Sequence, residues 1–122
     1  MKRKKILIVD DSNTILLMKR MMLSKEYDVV TARDGVDAVS KATSQTPDLV
    51  LMDVMMPNMD GFQACRILKN QELTRNIPVI MVTTRGEEPN IETGYQSGCN
   101  DYVTKPINNL ELLSKVRNFL GE

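Results

Sequence analysis

Five times along this chain, a short apolar or β-branched run gives way to a longer stretch with helical spacing, and this alternation limits the fold more than any other feature. The first run, Ile6-Leu7-Ile8-Val9, is apolar at every position, as a strand must be when both of its faces are covered. Residues 27–32, 48–52, 78–82 and 101–104 read as four further strands. Ser12 is placed to cap a first helix with Ile15, Met18 and Met22 on its apolar face and Lys19, Arg20 and Lys25 on its other sides. Asp34-Gly35 opens a second helix carrying Val36, Val39 and Ala42. The turn cluster Pro57-Asn58-Met59-Asp60-Gly61 leads into a third with Phe62, Cys65, Ile67 and Leu68. A helix is expected over 89–97, with Pro89 at its first position and Gly98 as its C-cap. Asn108 caps a last one bearing Leu112, Leu113, Val116 and Leu120. Strands alternating with helices imply an α/β fold: a doubly wound, five-stranded parallel sheet with five helices on its two faces. Periodicity does not give the strand order.

At 122 residues the chain is expected to form one domain spanning 1–122. It has no histidine, which excludes Ser-His-Asp and Cys-His catalysis, a histidine zinc site and a phosphohistidine of its own. Cys65 and Cys99 are too few for a disulfide framework and read as reduced thiols of a cytoplasmic protein. Sixteen basic residues balance sixteen acidic ones, so no bulk charge draws the chain to nucleic acid or an anionic membrane. No apolar run approaches the ~20 residues that span a bilayer.

In a doubly wound sheet, ligands sit beyond the carboxyl ends of the strands. Here those ends carry Asp10-Asp11, Asp53, Thr83-Thr84 and Lys105-Pro106. Singly, each aspartate reads as a cap or turn residue. Together, at the ends of separate strands, they form an acidic cluster that stays ionised only beside a cation. Carboxylate oxygens without His or Cys select Mg2+, with Mn2+ as its substitute. Glycine-rich phosphate loops are absent, and the first βα turn is acidic, which disfavours direct nucleotide binding.

These stretches, with Asp34-Gly35 and Gly98-Cys99-Asn100-Asp101-Tyr102, resemble the receiver domains of two-component response regulators, the CheY-like family. The resemblance runs over essentially the whole chain. It implies a flavodoxin-like sheet of order 2-1-3-4-5. It also implies Asp53 as phosphoryl acceptor, and Asp11 and Asp53 as direct Mg2+ ligands, with Asp10 helping through water and Met55 offering its backbone carbonyl. Thr83 would bond a phosphoryl oxygen, Lys105 would pair with the acceptor, Tyr102 would be the aromatic switch, and the Lys105-Pro106 bond would be cis. The implied partners are a histidine kinase or phosphotransfer protein and a downstream target that reads the face of the helix over 89–97, the fifth strand and the last helix.

Thr84 departs from the smaller residue the family usually has there, which narrows access to the phosphoryl group. By the same resemblance Met55 and Arg85, two positions beyond Asp53 and Thr83, flank the route of the hydrolytic water, and this bulky pair suggests a long-lived phosphoryl state. Gly94 inside the helix over 89–97 suggests either a mobile segment or a close packing contact. A monomer or weak phosphorylation-dependent dimer is expected, without DNA binding by this chain, which shows no output domain after the last expected helix, and without membrane insertion. A chemotaxis or motility regulator is one expectation. The receiver portion of a longer regulator or hybrid kinase is an alternative. A metal-dependent phosphohydrolase is a remoter one, since no second acid/base partner and no cap insertion are evident.

Overall fold

The computed structural model describes residues 3–84, 92, 93 and 95–121. Its strands are β1 (Lys5–Val9), β2 (Asp28–Ala32), β3 (Leu49–Asp53), β4 (Val79–Thr84) and β5 (Asp101–Lys105). They form one sheet of order β2-β1-β3-β4-β5, and every neighbouring pair is parallel. The complete helices among the described residues are α1 (Asn13–Leu23), α2 (Gly35–Gln45), α3 (Gly61–Lys69) and α4 (Asn109–Phe119). Of the helix expected over 89–97, Glu92, Thr93, Tyr95 and Gln96 are helical, and Gly98 follows at φ 98°. The rest of that helix, Gly94 included, lies outside the described residues, as do Arg85 and the side chain of Thr84.

The pleat of the strands divides the core in two. Leu7, Val9, Val50, Met52, Val79 and Met81 face one way and pack under α2 and α3, against Ala38, Ala42, Phe62, Cys65 and Leu68. Ile6, Ile8, Leu49, Leu51, Ile80 and Val82 face the other way, against Leu16 and Leu23 of α1 and Leu112 and Val116 of α4. Each of these four complete helices begins with the same device, a side-chain oxygen accepting from an amide three residues on. Ser12 accepts from Ile15 (3.3 Å), Asp34 from Asp37 (2.8 Å), Asp60 from Gln63 (2.9 Å) and Asn108 from Glu111 (3.1 Å). These bonds satisfy amides that the helix itself leaves free.

Two helix faces differ from the sequence expectation. The buried stripe of α1 is Leu16, Lys19 and Leu23, one residue on from the expected Ile15, Met18 and Met22. Both stripes have i, i+3, i+7 spacing, and one residue is a 100° rotation. Met18 is 61 % exposed and Lys19 only 4 %, the reverse of what polarity alone suggests. The lysine is inside because it finds a carboxylate there. On α2, Val36 is exposed, while Gly35, Ala38 and Ala42 form the buried face. Small residues let α2 approach the sheet closely, so the larger valine is turned outward.

Candidate functional site

The order of strands reverses at β1. The chain crosses from β1 to β2 on one side and returns as β3 on the other, which leaves a crevice beyond the carboxyl ends of β1 and β3. Asp10 follows β1 directly and Asp53 is the last residue of β3. One carboxylate oxygen from each of Asp10, Asp11 and Asp53 lies within 4.8 Å of the others. Asp10 and Asp53 are 2 % and 4 % exposed, and Asp11 is open to solvent.

Each buried carboxylate is engaged. Asp53 Oδ1 accepts from the Val54 amide (3.0 Å) and meets Lys105 Nζ at 3.2 Å. Asp10 Oδ1 accepts from the Ser12 amide (3.0 Å), and its Oδ2 meets Lys19 Nζ at 3.3 Å. Burial raises the Asp53 carboxyl above its ordinary range, and the charge of Asp10 adds to this against the pull of Lys105. Burial likewise draws the Lys19 ammonium below the usual lysine range, against the opposing pull of Asp10. Lys19 is the site residue that the sequence reading placed outside. Its signal was present, since it lies three residues after Leu16 and four before Leu23 on one helical stripe.

Close backbone contacts hold the β3–α3 loop in place. A Cβ on Gly61 would lie 2.3 Å from the Asp53 carbonyl oxygen, so only glycine lets α3 start this near the end of β3. The Gly61 amide donates to the Val54 carbonyl (2.9 Å). The Gly35 amide donates to the Met59 carbonyl (3.1 Å), and Asn58, at φ 69°, donates from Nδ2 to Asp34 Oδ2 (2.8 Å). The Asp37 amide first, and then the Asn58 side chain, hold the Asp34 carboxyl below its usual range.

Thr83 is 2 % exposed, and among the described residues its Oγ1 is the one buried side-chain polar atom without a hydrogen-bond partner. A buried hydroxyl lacking a partner is costly in a native fold, and this oxygen is open to a further hydrogen bond. Met55 is 70 % exposed at the rim of the crevice. Tyr102 pairs in register with Met81 and packs on the α2–α3 side of the sheet. Strand alternation puts Thr83 on that same side of β4, diagonal to Tyr102. The Tyr95 ring meets Tyr102 edge-on, with centroids 5.7 Å apart. The Lys105-Pro106 peptide bond is cis. Beside the crevice, an apolar groove of about 410 Å³ runs between α1 and the β5–α4 turn, lined by Ile15, Met18, Met22 and Ile107 with Lys19 and Lys105 at the site end.

The residues present suit a small hard cation. They offer carboxylate oxygens from three side chains, no sulfur or nitrogen ligand, and a hydroxyl lacking a partner nearby on the sheet.

Residues 6–117 match the response regulator receiver domain family. Protein PilH of Pseudomonas aeruginosa is 43 % identical over 118 residues, which is 96 % of this chain and 98 % of that protein. Response regulator PleD of Caulobacter vibrioides is 41 % identical over 115 residues, which is 93 % of this chain and 25 % of that protein. The chain thus spans about a quarter to a half of the length of several curated relatives. Among solved structures, Vibrio cholerae chemotaxis protein CheY4 superposes with a TM-score of 0.90 at 32 % identity, covering 97 % of this chain and 99 % of that one. The receiver domain of sensor histidine kinase PA1611 from Pseudomonas aeruginosa, which has a magnesium ion coordinated in its active-site cleft, gives 0.91 at 33 % identity, covering 99 % and 100 %.

Proposed function

The chain belongs to the response regulator receiver domain family, and from that premise we propose that Asp53 accepts a phosphoryl group from a phosphohistidine on a partner kinase or phosphotransfer protein. Receiver domains are signalling modules that bind Mg2+ at an acidic pocket. The observation that carries the finer reading is the meeting of Asp10, Asp11 and Lys105 around a buried Asp53 at the topological switch point.

In the transfer, an Asp53 carboxylate oxygen attacks phosphorus in line with the leaving imidazole. The new O–P bond forms as the N–P bond breaks, and the electron pair departs with the donor nitrogen. Asp11, Asp53 and the Met55 backbone carbonyl would hold the ion, with Asp10 assisting. When bound, Mg2+, or Mn2+ in its place, offsets the charge of the acidic cluster and of the phosphoryl oxygens. Lys105 keeps Asp53 ionised before transfer and is placed to pair with a phosphoryl oxygen afterwards. The Thr83 hydroxyl gains the partner it lacks. The apolar groove beside the crevice offers a helix of the donor a surface that ends at the site.

A phosphoryl group adds nearly two negative charges at Asp53. Thr83 turns to meet it, and the space left next to Tyr102 lets that ring move inward, away from Tyr95. The surface of Tyr95, β5 and α4 then changes for a downstream protein. The chain works in the cytoplasm as a monomer or weak phosphorylation-dependent dimer, and does not itself bind DNA or enter a membrane. Among the described residues, no helix is long and apolar enough to cross a membrane.

The test is exposure to a radiolabelled, histidine-phosphorylated donor domain with Mg2+. The expected result is one acid-stable, base-labile label per chain. Continuous release of phosphate from simple phosphate esters, with no label retained, would contradict it.

A further inference from the structure

Lys19 belongs to the site but has no part in the transfer described above. It occupies the core-facing stripe of α1, 4 % exposed, with Leu16 and Leu23 on the same stripe. Its ammonium meets Asp10 Oδ2 at 3.3 Å, and the other Asp10 oxygen is taken by the Ser12 amide. Both partners of the pair are at least 95 % buried as side chains. Three aspartates and Lys105 alone would leave two uncompensated negative charges at the crevice; Lys19 brings this to one.

A cation of this kind is tethered to the scaffold and lies against the same carboxylates that attract a divalent ion. We propose that Lys19 is a built-in counter-ion and positioning residue that satisfies Asp10 from behind, so that the acidic cluster binds Mg2+ more weakly and needs it less for its own stability. The physical basis is simple. Two cations attracted to one buried cluster repel each other, and in a poorly screened site that repulsion opposes the second one to arrive. A buried aspartate without a partner would be costly, so the fold also gains a site that is formed before the ion comes. The inference rests on the reading of Asp10, Asp11 and Asp53 as a divalent-cation site.

The experiment compares the parent, Lys19→Met and Lys19→Arg. Mg2+ binding is measured by calorimetry, Mn2+ binding by electron paramagnetic resonance, and thermal midpoints with and without Mg2+. Methionine keeps the length of the side chain and removes the charge, and arginine restores a cation. Lys19→Met is expected to bind both ions at least tenfold more tightly, to melt lower than the parent in chelator, and to gain more from Mg2+. Lys19→Arg is expected to bind within about threefold of the parent. A merely structural role for Lys19 would weaken metal binding in the methionine variant, so the direction of the change decides. If Lys19→Met is unfolded in chelator, circular dichroism is followed as Mg2+ is added. Recovery of the fold below the concentration that saturates the parent supports the proposal, and failure to recover overturns it. Equal affinities for parent and Lys19→Met overturn the role of Lys19 alone. Absence of Mg2+ binding by the parent overturns the site reading and the proposal with it.

Discussion

Replacing the proposed acceptor by its neutral isostere, Asp53→Asn, should make the metal-free protein more stable. Asp53 has an oxygen within 4.8 Å of one on Asp10, and both residues are almost fully buried. At an effective dielectric near 20, two unit charges at that separation repel by about 3 kcal/mol. Lys105 offsets part of this from 3.2 Å, but its side chain is 42 % exposed, so its attraction is screened to about 1 kcal/mol. The net gain for the neutral side chain is therefore about 1–2 kcal/mol at pH 7. For a domain of this size that is a rise in Tm of roughly 4–8 °C. The direction agrees with the raised Asp53 carboxyl. A folded-state pKa above the unfolded one means that the folded protein holds the proton longer, so ionisation costs stability as pH rises through that window. The advantage of Asp53→Asn should thus be full at neutral pH and shrink as pH falls through the Asp53 titration. Scanning calorimetry in chelator between pH 7.5 and pH 4.5 measures both quantities. An Asp53→Asn protein that melts at or below the parent at pH 7, or an advantage that grows on acidification, would refute the reasoning.

Gly61→Ala drives a methyl group against backbone rather than a pliable side chain, at 2.3 Å from the Asp53 carbonyl oxygen. Urea denaturation should show a loss of about 2–3 kcal/mol, with weaker Mg2+ binding because β3 must shift. Asp34→Ala removes the cap of α2 and the anchor of Asn58. The Asp34 carboxyl is depressed in the folded state, so its contribution is present above the unfolded pKa and lost as pH falls through the folded one. The Tm gap between parent and Asp34→Ala should therefore be open at pH 6 and close in strong acid. Thr83→Val replaces a buried hydroxyl lacking a partner by a methyl group of similar shape. Thermal stability of the unphosphorylated protein should hold or rise by up to about 1 kcal/mol, while the response of Tyr102 ring resonances to a phosphoryl mimic should be lost.

Much of the site was legible because its residues end strands. Asp10, Asp53 and Thr83 each follow a short, largely apolar run, Lys105 follows the mixed run Asp101-Tyr102-Val103-Thr104, and the fold class then places those ends on one edge. The order of the strands was not legible from periodicity, which registers the faces of a strand and not its neighbours; β2 and β5, whose runs carry Asp and Thr, are the half-exposed edges, and the resemblance to receiver domains supplied the full order. The face of α1 was misplaced for a different reason. Ile15, Met18 and Met22 make as good an apolar stripe as Leu16, Lys19 and Leu23, and a lysine is ordinarily a vote for solvent. That vote is reversed here by Asp10, a partner that periodicity does not register. The misread stripe has its own use, since Ile15, Met18 and Met22 line the groove that leads to the site. Val36 was misread because a helix lying close to a sheet favours alanine and glycine over a larger apolar residue.

The most direct test of the central claim is to find which atom carries the phosphoryl group. The protein is treated with a small acyl phosphate and Mg2+, reduced with borohydride, which converts an aspartyl phosphate to homoserine, and mapped by peptide mass spectrometry. The account predicts homoserine at position 53 alone, and none when Mg2+ is chelated. Homoserine at position 10 or 11, or modification at 53 that persists without any divalent ion, would contradict it.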